Sequence, residues 1–310
     1  MIFTVPPSLA SERIDRVVSF AASCTRAESA ELIGEGAVQC NGVAVSNRSR
    51  RVAEGDVIDV TLREPTATTS LAGDGSVPFS VVYADEQVIV VDKPAGVVVH
   101  PGAGNPSGTL VHGLLHRFPD LALIQAADAA ASLRPGIVHR LDKGTSGLLM
   151  VGRTSASVEA LIGQLGDRSV SRRYLALAWG RFAASTGLID ARVGRSSGDP
   201  TKMTVTATGR AARTRYAVER YFVEPEPVTL ARCWLETGRT HQIRVHLAAI
   251  GHPVVGDARY GGAKGSIRVP RPFLHAASLS FAHPTTGEQL SFDSPLPADL
   301  QLVLDSLVPG

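Results

Sequence analysis

The chain has 310 residues and a formal net charge of +2, and 44% of its residues are hydrophobic against 19% that are charged. This composition is typical of a globular protein with one large and one small domain, and the low net charge is only weak support for a nucleic-acid partner. No run approaches the roughly 18 apolar residues of a membrane span, and the N-terminus lacks the regions of a signal peptide. We therefore expect a cytoplasmic protein without a membrane partner. The three cysteines are odd in number and have no CxxC spacing, so they predict neither a disulfide framework nor a zinc site.

Residues 9–63 have the pattern of a small α/β module. Thr25 with Glu28 three residues later forms a capping box for a helix, and Asn41-Gly42 is the strongest short hairpin signal. The elements predicted for this module are helices at 11–20 and 25–34 and strands at 37–40, 43–45 and 57–62.

The segment 64–78 is rich in Thr, Ala, Gly and Pro without periodicity, which predicts a flexible linker that spans roughly 20 Å. Residues 79–310 then mix strands and helices without regular alternation. This pattern favours an α+β domain with a mixed, mostly antiparallel central sheet over a doubly wound fold. The clearest predicted elements are strands at 88–91, 148–151, 174–179, 214–221 and 229–235, and helices at 109–117, 155–165 and 240–250, the last capped by Thr240.

Basic residues cluster in three places, although one such cluster alone is more often a solvated surface. Between Lys202 and Arg220 there are five basic residues and one acid, Glu219. The other clusters are Arg168, Arg172 and Arg173, and Arg48, Arg50 and Arg51.

Two polar blocks have the residue types of a reactive site. The first, HRLDKGTSG at 139–147, is a charged loop between two apolar strands, which is a rigid mount for a side chain such as Asp142. The second, GRTHQIRVH at 238–246, opens a helix on which residues 242 and 246 share a face and Arg244 can pair with a carboxylate. Taken singly, such an aspartate is more often a turn residue, and such an arginine more often forms a surface ion pair.

Two other kinds of site have weaker support. His241 and His246 are five residues apart, about 140° around a helix, and no HExxH is present, so we expect no metal site. Glycines at 102–108 lack the GKS/T of a phosphate-binding loop, which leaves a nucleotide-using transferase a weak alternative.

The order of the blocks carries a more specific signal. KPAG at 93–96 with His100, then HRLDKGTSG, then GRTHQIRVH followed by GDARYGG at 256–262, is similar to the signature of the RluA-type pseudouridine synthases over nearly all of residues 79–296. Residues 9–63 resemble the alpha-L RNA-binding motif, although seven arginines face seven acids between Arg13 and Arg63. Together they resemble the RluC and RluD branch, which modifies large-subunit ribosomal RNA.

The resemblance implies roles for the matching residues. Asp142 matches the catalytic aspartate, Tyr174 the tyrosine that stacks on the target base, and Arg244 the basic residue that pairs with the aspartate. Arg140 matches the arginine that holds the RNA helix open after the uridine flips out, and Leu274 matches the apolar floor of the pocket. Further substrate-binding residues expected in these blocks are His139, Thr145, Arg239, His241 and Gln242, and expected RNA-binding residues are Arg13, Arg16, Arg26, Arg172, Arg173 and Lys202.

The implied reaction breaks the bond from uracil N1 to ribose C1′, turns the base and rejoins it through C5. The product is an isomer, so we expect no cofactor. A carboxylate such as Asp142 can attack C1′ or remove a C2′ proton, and the sequence leaves both routes open. Burial would raise the carboxyl pKa, while an adjacent arginine lowers it by about 1–3 units, which favours the pairing of Asp142 with Arg244.

Three questions stay open at this stage. A non-catalytic RNA-binding or ribosome-assembly factor could use the same fold, and a catalytic chain could act on transfer RNA instead of ribosomal RNA. We expect a monomer with RNA as its partner, but no motif encodes the uridine that it selects.

Overall fold

The computed structural model describes residues 1–22, 24, 26–61, 71–102, 104–124, 132–199 and 202–310, except for the side chains of residues 26–28. The chain divides into two compact units, Met1–Ser70 and Leu71–Gly310. Among the described residues, no helix has the length and apolar character needed to cross a membrane.

The first unit is a four-stranded antiparallel sheet with two helices. Its elements are β1 Ile2–Thr4, α1 Ile14–Ala21, α2 Arg26–Gly34, β2 Val38–Cys40, β3 Val43–Ala44 and β4 Val57–Val60. The strand order is β1-β4-β2-β3. Asn41 and Gly42 both have positive φ, 53° and 76°, the conformation of the tight hairpin turn that their sequence predicts. Thr25, predicted to cap the second helix, lies outside the described residues.

The second unit contains the remaining elements. Its strands are β5 Ser80–Ala84, β6 Val88–Lys93, β7 Ser146–Gly152, β8 Ser171–Trp179, β9 Thr186–Asp190, β10 Val193–Arg195, β11 Met203–Val205, β12 Arg213–Glu224, β13 Val228–Leu235, β14 Leu274–Ala282, β15 Gln289–Asp293 and β16 Val308–Pro309. Its helices are α3 Leu110–Arg117, α4 Ser155–Asp167, α5 Gln242–Ala249 and α6 Ala298–Asp305.

Ten of these strands form one sheet, in which β16-β12-β13-β8-β14-β7-β6-β5 is the main path, β15 pairs with β14 and β9 pairs with β12. Within the described residues β7 and β14 are its one parallel pair, and all other neighbours are antiparallel. The predicted α+β class with a mixed, mostly antiparallel sheet is confirmed.

The central strands are buried on both faces because apolar side chains alternate between two clusters. On β6, Ile89 and Val91 belong to the main core, while Val88 and Val90 belong to a second cluster with Leu161 of α4. Strands covered on both faces are typically continuous apolar runs, and such a run makes β6 and β7 rigid mounts for the loops at their ends.

The parallel contact of β7 with β14 requires a glycine at position 147. Gly147 has φ +112°, and an added Cβ would overlap the backbone carbonyl of Ala276 on β14. We expect Gly147→Ala to lower the free energy of unfolding by about 2 kcal/mol or more, measured by urea denaturation. Gly163→Ala, in α4 with open space around its Cα, is the matched control and should be neutral or stabilising. Equal stability of the two variants would contradict this explanation of Gly147.

The predicted linker, 64–78, lies only partly within the described residues. From Leu71 onward the segment packs on the second unit: Val77 is buried in its main core, and the Asp74 N–H donates to the carbonyl of His112 at 2.9 Å. The apolar side chains at Leu71 and Val77, which the composition argument overlooked, account for this packing. Leu71, Asp74 and Val77, which lie within the predicted linker, therefore belong to the second unit.

Candidate active site

The loop before β7 carries Asp142 and is fixed at several points. Leu141 is buried in the main core, and the Thr145 N–H donates to the carbonyl of Asp142 at 3.0 Å. Arg271 Nη1 donates to the carbonyl of Gly144 at 3.1 Å. The Asp142 side chain remains 15% exposed, so the loop holds a carboxylate at the boundary between core and solvent.

Arg244 of α5 links Asp142 to a second carboxylate. Its Nη1 donates to Asp142 Oδ2 at 3.0 Å, while Nε and Nη2 donate to Asp257 Oδ2 and Oδ1 at 2.6 and 2.9 Å. The guanidinium also lies over the Tyr260 ring, 5.0 Å from its centroid. Burial acts to lower the pKa of Arg244, but the hydrogen bond to Asp257 and the charges of both carboxylates outweigh it and raise this pKa. Arg244 is therefore a fixed cation beside Asp142.

The start of α5 differs from the prediction that Thr240 caps it. The N-terminal cap is His241, which has φ +56°, and no side chain caps the helix. Instead the backbone N–H of Arg239 donates to Gln242 Oε1 at 3.0 Å. The loop thereby turns His241 toward Asp142, with Nε2 3.9 Å from Asp142 Oδ1.

Gln242, expected to bind substrate, lines the cavity, and its side chain is hydrogen-bonded within the protein. Its Oε1 accepts from Thr237 Oγ1 at 2.7 Å and from the Arg239 N–H, and its Nε2 donates to the carbonyl of Arg213 and to Thr214 Oγ1, both at 2.9 Å. Because an amide side chain has two donors and two acceptor sites, these four bonds use all of them. Gln242 fixes the loop against β12.

Asp142 lies where a surface groove of about 490 Å³ continues into a cavity of about 40 Å³. Five residues line both: Arg140, Asp142, Tyr174, Leu235 and Arg239. The cavity is closed by Leu274, Thr145 and His241. All ten predicted catalytic and substrate-binding residues therefore line one or both of these spaces, with His139 in the groove and Arg244 and Gln242 in the cavity.

Two titratable groups beside Asp142, Tyr174 and His241, have pKa values that are shifted toward their uncharged forms. Burial raises the pKa of Tyr174 to about 12, so its hydroxyl keeps its proton. Burial also lowers the pKa of His241, whose Nδ1 is 2.8 Å from the Tyr260 hydroxyl. Among the described residues no group of three His, Cys, Asp or Glu side chains is placed to hold a metal ion. The cavity lining therefore contains one carboxylate, Asp142, one phenol, Tyr174, and the fixed positive charge of Arg244.

Three buried nitrogens in the groove have no hydrogen-bond partner among the described residues: His100 Nδ1, His139 Nδ1 and Arg172 Nε. His139 Nε2 accepts the Met150 N–H at 3.1 Å, so its Nδ1 carries the proton and is a free donor. Burial lowers the pKa of His139 to about 3 and of His100 to about 4. Unpaired buried donors are costly, and here they line a groove that also contains Arg134, Arg140 and Arg239. This arrangement fits an incoming ligand rich in oxygen acceptors.

The six predicted RNA-binding residues are divided equally between the two units. Arg13 makes a two-bond ion pair with Asp15, and Arg16 pairs with Glu12 at 2.8 Å. The side chain of Arg26 lies outside the described residues. These local pairs mean that RNA would have to replace an existing carboxylate partner at Arg13 and Arg16.

The other three predicted RNA-binding residues are in the second unit. Arg172 is 8% exposed and lines the Asp142 groove, whereas Arg173, the next residue of β8, is exposed and projects from the opposite face of the sheet. Lys202 lies 3.9 Å from Asp199, beside the β10–β11 hairpin. Of this set, only Arg172 lines the Asp142 groove.

Sequence reasoning missed three residues of the site, although their motifs were visible. Asp257 and Tyr260 belong to GDARYGG, and Lys93 belongs to KPAG. Lys93 is fully buried, and its Nζ donates to the carbonyls of Pro94 and Val97 at 2.8 and 2.9 Å. Each of the three is a charged or hydroxyl-bearing residue directly next to a glycine or a proline of its motif, and that position was the signal available in the sequence.

Lys93 predicts a pH dependence of stability. Burial lowers its pKa from 10.5 to about 7, although the charge of Asp142 opposes the shift. Between these values the unfolded chain binds a proton that the folded chain lacks, so stability rises with pH. We expect the free energy of unfolding to gain about 1 kcal/mol from this group between about pH 7.5 and 8.5. Lys93→Met should lose that gain whatever its absolute stability. Equal slopes of unfolding free energy against pH for wild type and variant would contradict the lowered pKa of Lys93.

A carboxylate paired with a fixed arginine beneath a basic groove defines an enzyme site for a polyanionic substrate. The model of the RNA pseudouridylate synthase family matches residues 87–249, and an S4 domain model matches residues 12–58. The chain belongs to the RNA pseudouridylate synthase family and is an enzyme of that class.

Its relatives include proteins of nearly the same length. An uncharacterized RNA pseudouridine synthase of Bacillus subtilis, YlyB, is 42% identical over 96% of this chain and 94% of its own. A ribosomal large subunit pseudouridine synthase D of Xanthomonas campestris is 41% identical over 98% of this chain and 91% of its own. Among solved structures, human RNA pseudouridylate synthase domain containing 1 has a TM-score of 0.58 at 28% identity, and the match covers 76% of this chain and 89% of that one.

Proposed function

We propose that this enzyme converts particular uridines of large-subunit ribosomal RNA to pseudouridine, with Asp142 as the group that acts at the sugar–base junction. The observation that carries the chemistry is the Asp142–Arg244 pair at 3.0 Å, where the basic groove meets the cavity. The ribosomal target rests on relatives such as the Xanthomonas campestris protein. Asp142 either attacks C1′ and is displaced when C5 bonds there, or takes the C2′ proton and later returns it. In both routes N1 leaves, the uracil turns, C5 bonds to C1′ and loses its proton to solvent, and N1 gains a proton.

The other side chains have distinct tasks in this proposal. Tyr174 stacks on the flipped uracil, which offsets the cost of a few kcal/mol for leaving the helix stack. Leu274 confines the detached base without fixing one orientation by hydrogen bonds. Arg140, which is exposed at the groove, takes the place of the base in the RNA helix. His139 and Arg172 direct their free N–H groups to the phosphate and ribose oxygens beside the target.

The first unit supplies additional RNA affinity in this proposal. We place its RNA-binding function in residues 9–63, joined to a catalytic domain of residues 79–310 by a connection that includes 64–78. The enzyme acts as a monomer in this proposal, because one chain contains the entire site. We also propose that it acts in the cytoplasm.

A deletion experiment tests the proposed substrate. Pseudouridines in the large-subunit ribosomal RNA are mapped by carbodiimide modification and primer extension, in the parent organism and in a strain that lacks this gene. We expect one or more reverse-transcription stops to vanish and to return with the wild-type gene but not with Asp142→Asn. Unchanged ribosomal RNA together with lost pseudouridine in transfer RNA would overturn the ribosomal assignment.

Tyr174→Phe separates stacking from proton transfer. The variant keeps the ring but loses a hydroxyl that is protonated at neutral pH. We expect RNA affinity within about twofold of wild type and turnover slower by about 10²-fold, the lower range for a positioned acid–base group. The measurement is single-turnover tritium release with saturating enzyme. Wild-type turnover in Tyr174→Phe would remove the hydroxyl from the mechanism and leave only stacking.

A further inference from the structure

The second unit has another concave surface, which adjoins the Asp142 groove and shares Arg168, Arg172, Leu235 and Glu236 with it. It is a groove of about 650 Å³ on β8, β9, β12 and β13, a volume within the roughly 300–1,000 Å³ of ligand pockets. We call it the Trp234 groove, and the residues that matter for its chemistry are Arg168, Leu188, Arg215, Trp234 and Glu236.

Trp234, Arg215 and Leu188 of this groove project from the face of the sheet opposite Tyr174. Side chains alternate along a strand, and on β8 Tyr174 faces the Asp142 groove, so Arg173 projects from the other face. Residues paired across strands share a face, and the register places Arg173 opposite Trp234, Trp234 opposite Arg215, and Arg215 opposite Leu188. Four neighbouring strands therefore present the row Arg173, Trp234, Arg215, Leu188.

Trp234 is half-buried in the described fold. It joins none of the hydrophobic clusters found among the described residues, and its indole N–H makes no hydrogen bond with them. Trp179 is the contrast, because it is 2% exposed and donates from Nε1 to the carbonyl of Gly262 at 2.8 Å. Leu188, which Arg215 separates from Trp234 on the same face, is 43% exposed. The groove thus contains a half-buried indole and an exposed isobutyl group with an arginine between them.

The charges around this apolar surface are unbalanced. One carboxylate, Glu236, is shared by three arginines: Arg215 at 2.5 Å, Arg213 at 2.9 Å and Arg168 at 3.7 Å. Arg213 has a second acid, Asp190, at 3.1 Å. Arg173 pairs with no carboxylate among the described residues. Four arginines against two acids leave two positive charges in excess at the edge of an open aromatic ring.

Aromatic side chains among arginines are the usual platform for single-stranded nucleic acid, since bases stack on the ring and phosphates bind the guanidinium groups. We infer that the Trp234 groove is a second RNA-binding surface, which stacks an unpaired base of the substrate on Trp234 and holds the adjacent phosphates with Arg173 and Arg215. The inference rests on the proposed function for its substrate. An acidic protein segment would satisfy the charge but would not require an open indole between two arginines.

A comparison of two RNA substrates tests the surface in the full-length enzyme. The short one is a stem–loop that carries only the target uridine, and the long one is a large-subunit ribosomal RNA transcript. We expect Trp234→Ala to raise KM for the long RNA about tenfold, the loss of one stacked base, with kcat unchanged and the stem–loop unaffected. Trp234→Phe retains a ring and should retain most of the affinity. An equal rise of KM on both RNAs would overturn the inference.

Tryptophan emission gives a readout that does not depend on activity. The chain has two tryptophans, and only Trp234 is accessible to a stacking base. An oligouridine should quench the emission of wild type and should leave that of Trp234→Phe unchanged. Arg173→Gln should also change the salt dependence of binding. The slope of log affinity for oligouridine against log salt concentration should be shallower by about 0.7, because one contact with single-stranded phosphate is lost.

The outcomes separate this inference from the proposed function. Quenching by oligouridine in a protein that modifies no ribosomal RNA would support the groove and reject the ribosomal substrate. Ribosomal activity with neither quenching nor a KM change in Trp234→Ala would reject the groove alone. Emission that shifts with protein concentration in the absence of RNA would assign the groove to a second copy of the chain and overturn its RNA role.

Discussion

Arg244→Met is expected to lose both stability and turnover. The variant leaves Asp257, which is 1% exposed, and Asp142 without the cation between them. Removing one partner of a buried ion pair costs about 3–5 kcal/mol, so we expect a loss of about 3 kcal/mol in urea denaturation. Without the fixed charge, Asp142 is no longer oriented in the cavity, and we expect single-turnover tritium release to slow by about 10²-fold or more.

Arg244→Lys is the matched control because it keeps the charge but loses the planar group that binds both carboxylates at once. It should recover part of the stability and little of the turnover. Folded Arg244→Met with wild-type turnover would contradict the role of Arg244 in holding Asp142.

Asp142→Asn is expected to abolish turnover while the fold and RNA binding persist. The amide has the shape of the carboxylate, and its oxygen can still accept from Arg244 Nη1. It can neither attack C1′ nor take a proton, so we expect a loss of at least about 10³-fold, as when a central catalytic group is removed. RNA affinity should hold or increase slightly, because a negative charge leaves a groove that receives phosphates.

Asp120→Asn controls for the general loss of a carboxylate. Asp120 pairs with Arg153 at 2.8 Å and is 40% exposed, so this variant should retain wild-type turnover. If Asp142→Asn bound RNA poorly, the slow turnover would reflect lost binding, and the chemical role of Asp142 would be contradicted.

The sequence predicted those parts of the fold that follow from local periodicity and turn chemistry. Asn41-Gly42 specifies its hairpin, and the apolar runs at 88–91 and 148–151 became the doubly buried centre of the sheet. The face shared by residues 242 and 246 is real, since both side chains bond Thr214 Oγ1 at 2.9 Å. These features depend on residues close together in the chain.

The failures come from contacts between distant segments. Thr240 is a residue type that often caps helices, but His241 occupies the cap position of α5. The Gln242 side chain instead joins the Arg239 N–H to β12. Asp257 is 13 positions from Arg244 in the chain, and no local pattern links the two. Arg172 and Arg173 formed one basic cluster by sequence, yet strand alternation separates them onto opposite faces of the sheet. A side chain's partner depends on the tertiary fold, which periodicity does not encode.

The most direct test of the account is tritium release from a large-subunit ribosomal RNA transcript labelled at uridine C5, with wild type and Asp142→Asn compared at equal RNA occupancy. We predict stoichiometric release by wild type at a small number of sites and none above background by Asp142→Asn. Equal release by the two proteins would contradict the central claim that Asp142 performs the chemistry.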